Sequence, residues 1–259
     1  MKASIIICTY NEEKTIENVV TSCCKYNKEF EIIVVDDGST DNTEKILLRL
    51  QKEFTFRYEK LPKNKGKSWA MVHGVEISTN KIILFFDADV TNIKKEHFDI
   101  LLAPLFNNEA DMVLGQPSET LINYKVNPFR SLTGERALFK KDIIPILNDI
   151  REIRFGIETF INLYYQAQGK TIKYVLLEQL KHPTKYEKTS TAKATKEFVK
   201  EGKEIMVTLM SNQDLIKQRI ELQFNRTNTK AINKINKLQS DINTKLKNLK
   251  SRFDKFMKE

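Results

Sequence analysis

Through the first ninety residues, short unbroken apolar runs alternate with stretches whose apolar positions recur at intervals of three and four. Residues 4–8 (Ser-Ile-Ile-Ile-Cys), 32–35 (Ile-Ile-Val-Val) and 82–86 (Ile-Ile-Leu-Phe-Phe) read as strands covered on both faces. Between them, Ile16, Val19, Val20 and Cys23 predict a helix over residues 14–26, and Ile46, Leu47 and Leu50 predict a second. A third strand is expected over residues 54–58 and a third helix over 68–77. The order β-α-β-α-β-α-β implies an α/β fold: a mostly parallel, Rossmann-like sheet with right-handed crossovers and helices on both faces. Further on, residues 157–168 read as a helix and 173–180 as a strand.

Every polar cluster of this region falls at the end of a strand, and so on the rim where open α/β sheets bind ligands. Thr9-Tyr10-Asn11-Glu12 follows the first strand, and Asp36-Asp37-Gly38-Ser39-Thr40-Asp41 the second. Asn64-Lys65-Gly66-Lys67 precedes the third helix, and Asp87-Ala88-Asp89 ends the strand 82–86. Two carboxylates one residue apart repel unless a cation lies between them, and their hard oxygens suit Mg²⁺ or Mn²⁺. The competing reading of Asp87 and Asp89, and of Asp36 and Asp37, is a turn that caps the next helix.

Taken together, these four clusters resemble, in order and spacing, the nucleotide-sugar motifs of family 2 glycosyltransferases with a GT-A fold. Residues 132–137 (Leu-Thr-Gly-Glu-Arg-Ala) resemble the acceptor-side segment of that superfamily, and Gly156-Ile157-Glu158 the glycine-hydrophobic-glutamate stretch of its bacterial members. The likeness extends over residues 3–186 and includes glucosyl-phosphoglycerate-forming and polyprenyl-phosphate glycosyltransferase relatives. It implies a hexosyltransferase using a UDP- or GDP-sugar, with an acceptor that is lipid-linked or a small phosphorylated molecule. Thr9, Tyr10, Glu12, Asp36, Asp37, Lys65, Gly66, Lys67, Asp87 and Ala88 would then bind the nucleotide sugar. Tyr10 would stack on the base while Asp37 accepts a hydrogen bond from it. Lys65 and Lys67, beside a glycine at a helix start, would meet phosphate.

Asp87 and Asp89 would hold Mg²⁺ or Mn²⁺, with His182, after the late strand and before Pro183, completing the shell as in the retaining relatives. The Glu-Asp pair that usually supplies the base of inverting members is missing from residues 133–158. Glu158 is therefore the first candidate base and Glu135 the second. Arg136 would bind an anionic acceptor or pair with a nearby carboxylate. His73, mid-helix, and His97, at a polar helix start, read as structural.

Composition divides the chain in two. Residues 226–259 hold ten Lys or Arg against three Asp or Glu, so this tail carries most of the formal charge of +9. Residues 1–190 are expected to form the catalytic domain and 191–259 a helical extension. Within the tail, Ile232, Ile235, Leu238, Ile242, Leu246, Leu249, Phe253 and Phe256 define a long amphipathic helix over residues 231–257. Three roles fit it: lying on an anionic membrane, self-association through an imperfect heptad, or packing on the catalytic domain. No nucleic-acid motif is present. Three cysteines without metal spacing suggest reduced thiols, and no signal or membrane-spanning run occurs, so a cytoplasmic protein is expected, with peripheral attachment at the inner membrane face as an option. The rival classes are a nucleotidyltransferase, which would want a glycine-rich loop where residues 9–14 have no glycine, and a non-catalytic scaffold, which would tolerate loss of Asp87 or Asp89.

Overall fold

The computed structural model describes residues 2–119, 133–151, 153, 156–182, 206–225, 240–245, 247–248 and 250–251. Four parallel strands lead: β1 (Ala3–Thr9), β2 (Glu31–Asp36), β3 (Arg57–Lys60) and β4 (Ile82–Phe85), separated by α1 (Ile16–Tyr26), α2 (Thr43–Leu50) and α3 (Lys67–Ile77). Then come α4 (Lys95–Phe106), β5 (Met112–Glu119), β6 (Arg136–Phe139), α5 (Lys140–Ile143), α6 (Leu147–Arg151), α7 (Ile157–Ala167), β7 (Ile172–Lys181) and α8 (Gln213–Asn225). The seven strands form one sheet in the order β3-β2-β1-β4-β6-β5-β7. Among the described strands only β6 runs against its neighbours, antiparallel to both β4 and β5.

The continuous apolar runs are explained by burial on both faces. Ile5, Ile7, Val34 and Leu84 join α1, α2 and α4 in one cluster, whereas Ile6, Ile33, Val35, Ile83 and Phe85 pack with α3 and α7 in the other. The alternation is the two-residue period of a strand sandwiched between helix layers. The third strand begins later than its aromatic residues suggested. The Phe54 backbone N–H still bonds to Leu50 at the end of α2, and Phe56 is buried, so these two residues anchor the connection while the polar Arg57–Lys60 forms the sheet edge.

Part of the extension can be followed. Residues 206–211 are helical, α8 lies against α7, and Leu215 packs on the α3/α7 cluster. Residues 240–245, 247–248 and 250–251 are helical, and Ile242 and Asn243 share a narrow cleft with Gln213, Ile216, Lys217 and Ile220. The remainder of the expected tail helix lies outside the described residues. None of the described helices is long and apolar enough to cross a membrane.

Candidate functional site

Two rim loops are clasped together. The Asn11 N–H donates to Ser39 Oγ at 2.9 Å, the Thr40 N–H to Asn11 Oδ1 at 2.8 Å, and the Glu12 N–H to Thr43 Oγ1 at 3.0 Å. Tyr10, 44% exposed, stands out from this clasp, while Thr9 is buried at the strand end. Asp36 is fully buried, with Oδ1 accepting the Ser39 N–H at 2.7 Å and Oδ2 the Tyr58 hydroxyl at 3.1 Å. Burial, then the charge of Asp36, pushes that phenol well above its ordinary pKa. The carboxylate of Asp37 reaches the next loop and accepts the Lys65 N–H at 2.8 Å and the Gly66 N–H at 2.7 Å. Gly38, at φ 76°, lets the two loops touch, since a Cβ there would lie 2.7 Å from the Lys63 carbonyl carbon.

The double bond from Asp37 sets the approach to the α3 N-terminus, so Asp37→Asn should loosen it. An amide in place of the carboxylate turns one acceptor into a donor facing an N–H, at a cost of about 1–3 kcal/mol. We expect faster hydrogen exchange at the Lys65 and Gly66 amides and weaker nucleotide binding; wild-type exchange at both would show that the bonds hold nothing.

Beyond that loop the charges converge. Lys67 Nζ lies 2.9 Å from Asp87 Oδ1 and 3.0 Å from Glu158 Oε1, joining the start of α3 to the end of β4 and the first turn of α7. Burial opposes the charge on Lys67, but the two carboxylates outweigh it and raise its pKa. Burial likewise works to raise Glu158, yet Lys67 and Arg136 hold it below the usual range, so it is ionised at neutral pH. The thiol of Cys8, at the end of β1, sits within the field of these groups, and burial pushes it up and keeps it unreactive.

Beside this pair, Asp87, Asp89 and His182 each offer a ligand atom, all within 4.8 Å of one another. The antiparallel register, with Leu84 opposite Ala137 and Phe85 opposite Arg136, carries Gly134 to Asp87. A Cβ on Gly134 would fall 2.0 Å from Asp87 Oδ2, so any side chain there would force the carboxylate to move. Burial raises the pKa of Asp87, and Glu135 and Asp89 add to the rise against the pull of Lys67. Crowded anionic oxygens with an imidazole among them fit a divalent cation. His182 meets the same crowding differently. Burial disfavours its charge, but Glu135 and Asp89 raise its pKa to about 11, so a proton holds the place that a metal would take.

The structure thus brings Lys67, Asp87, Asp89, Glu158 and His182 together, with Gly66 and Asp37 on the adjoining wall. Ala88 is buried between the two aspartates. Lys65 turns aside, its ammonium 3.8 Å from the centre of the Trp69 ring. Arg136, expected to bind an anionic acceptor or to pair with a nearby carboxylate, is completely buried in the field of Glu158 and donates to the Thr133 carbonyl at 2.7 Å and the Glu158 carbonyl at 3.5 Å. Glu135, the second candidate base, is also completely buried and lies behind the site, bonded to Thr133 and His182. Both are buried because Arg136 opens β6, which lies between β4 and β5, and Glu135 immediately precedes it. The roles of Thr133, Gly134 and Cys8 went unread in the sequence; only the partner of β6 could have revealed the first two. His97 is structural as expected, its ring meeting the Lys94 N–H and the Glu178 carbonyl.

Parallel strands that end in an Asp-Ala-Asp cluster, with an antiparallel strand closing on the same carboxylates, have the GT-A form of a nucleotide-sugar-dependent glycosyltransferase. The family model described as glycosyl transferase family 2 matches residues 4–174, and the chain belongs to that family. Its sequence is 32% identical over 87 residues to a poly-β-1,6-N-acetyl-D-glucosamine synthase of Staphylococcus epidermidis, and 32% over 88 residues to one of Staphylococcus aureus. Each match takes in 33% of this chain and only 21% of the relative. Glucosyl-3-phosphoglycerate synthase of Mycobacterium tuberculosis, solved with Mn²⁺, UDP and phosphoglyceric acid, is similar in fold, with a TM-score of 0.64 at 20% identity over 81% of this chain and 78% of that one. The same enzyme with Mg²⁺ and UDP gives 0.63, again at 20% identity over 81% and 78% of the two chains.

Proposed function

We propose that the chain moves a hexosyl group from a UDP- or GDP-sugar to a phosphate-bearing acceptor, small or lipid-linked, with Mg²⁺ or Mn²⁺ held by Asp87, Asp89 and His182. The observation that carries this reading is the convergence of those three side chains beside Lys67, at the rim where the Asp37 clasp presents the N-terminus of α3. The similar mycobacterial structures bear UDP, Mn²⁺ or Mg²⁺ and phosphoglyceric acid, which supports the same ligand classes here. When bound, the ion supplies a counter-charge for the departing diphosphate. Tyr10 offers its exposed face to the base, and the Lys65 and Gly66 region brings a helix N-terminus to phosphate. Lys67 bridges Asp87 and Glu158, holding the Glu158 pKa low and opposing the rise at Asp87.

Glu158 remains the group placed to take a proton from an acceptor hydroxyl. Its lowered pKa keeps it deprotonated, ready to accept though intrinsically weak as a base. Glu158→Gln should then lower kcat about 10²- to 10⁴-fold with the donor KM little changed. Equal loss of donor affinity would place it in the donor pocket instead.

Because Glu135 and Asp89 hold the pKa of His182 well above its ordinary value, a metal taking the imidazole must displace a proton. Protons compete with the metal, so apparent Mn²⁺ affinity should rise about tenfold per pH unit between pH 6 and 8, with one proton released per ion. Calorimetry in buffers of different ionisation enthalpy measures this, and His182→Ala should lose that proton. No release in the wild type would remove His182 from the shell.

We read residues 1–190 as the catalytic domain and 191–259 as its helical extension. The cleft shared by α8 and Ile242 favours packing of the tail on α8 over an anionic membrane or a second copy. The reading as a whole is tested by measuring nucleoside-diphosphate release from a panel of nucleotide sugars with Mn²⁺ and phosphorylated acceptors. Release with none of them would reject it.

A further inference from the structure

We propose that Glu135 is a positioning residue for the metal site, fixing the orientation and tautomer of His182. The inference rests on the metal reading above but concerns a residue outside the ligand set. Glu135 is fully buried, so it touches neither substrate nor solvent, and a buried carboxylate is costly unless it is matched. Its Oε2 accepts the Thr133 hydroxyl at 2.8 Å and faces His182 Nε2 at 3.1 Å. The other ring nitrogen, Nδ1, lies on the ligand side, 3.6 Å from Asp89 Oδ1.

A neutral imidazole has one donor and one acceptor nitrogen. Were Nε2 the acceptor, its lone pair would oppose a carboxylate oxygen. With Nε2–H donating to Glu135, the Nδ1 lone pair is left for the cation beside Asp87 and Asp89, and the carboxylate increases the ring's basicity. The backbone around Glu135 is itself fixed: its carbonyl accepts the Gly115 N–H at 2.9 Å, and Arg136 grips the Thr133 carbonyl. One tripeptide therefore supports two ligands, Gly134 lying against Asp87 and Glu135 against His182.

The test is Mn²⁺ affinity, read from the electron paramagnetic resonance of the free ion, in the full chain. Glu135→Gln should weaken binding about ten- to hundredfold. His182→Ala should weaken it at least as much, and the double variant no further than His182→Ala alone, because Glu135 acts through the ring. Independently of any variant, ¹⁵N-histidine spectra of the wild type with Mg²⁺ should show the Nε2–H tautomer for His182; this measurement decides the matter if Glu135→Gln fails to fold. Wild-type affinity in Glu135→Gln alongside weakened His182→Ala overturns the positioning role and leaves the metal reading standing. An Nδ1–H tautomer likewise overturns it. Wild-type affinity in both Asp89→Ala and His182→Ala sinks the metal reading, and the positioning role with it.

Discussion

Asp89→Ala should reduce sugar transfer by about three decades while leaving the metal-free protein close to the wild type in stability. Catalytic loss follows from the proposed hold of Asp89 on the ion: the counter-charge is worth several kcal/mol, at about 1.4 kcal/mol per decade of rate. The stability expectation follows from the crowding. Asp89 is partly exposed, so its removal leaves no core cavity, and its charge is one of those that raise the pKa of Asp87. Taking it away relieves that repulsion but also removes a partner of protonated His182, two effects of opposite sign. Nucleoside-diphosphate release with Mn²⁺ and thermal unfolding without metal measure the two halves. Undiminished turnover would remove Asp89 from the metal shell, and a large fall in melting temperature would show that it braces the fold.

Gly134→Ala should be nearly as damaging, although it adds only a methyl group and removes nothing. That carbon would overlap the Asp87 carboxylate, with the nearest approach at 2.0 Å, so either the side chain or the strand must move. The strand is held in a central ladder between β4 and β5, which makes the side chain the part that gives. Turning the Asp87 carboxylate away disrupts the ligand set and the bond from Lys67 together. We expect Mn²⁺ affinity to fall at least as far as in Glu135→Gln, with a stability cost of about 1–3 kcal/mol from overpacking. Wild-type metal binding in Gly134→Ala would mean that the ladder yields more readily than the carboxylate.

The first half of the fold was legible because β1, β2 and β4 are buried on both faces, leaving apolar runs that nothing interrupts. The rim was legible for the same reason, since each run stops abruptly at polar residues. The edge strand was displaced because Phe54 and Phe56 face the core from a connection and not from the ladder. Least legible was the stretch around β6: four residues, one of them a buried arginine, carry neither a strand period nor an apolar run. Glu135 read as a second candidate base and Arg136 as a group for an anionic acceptor or a nearby carboxylate, since charged side chains are seldom fully buried unless paired. Only the pairing of β6 with β4 shows that they face inward. The bond from Lys67 to Glu158 was equally hidden, because contacts between distant segments leave no periodic trace.

That bond closes a loop of 91 residues and has a consequence for how the protein is made. β1 to β4 can begin to pair as soon as they leave the ribosome, but Lys67, Asp87 and Asp89 then wait for Glu158 and His182 to be synthesised. Such long-range closures are slow, and until they occur Asp87 and Asp89 have Lys67 beside them but not His182. Because His182 follows β7, the group of Asp87, Asp89 and His182 cannot close before β7 has been made.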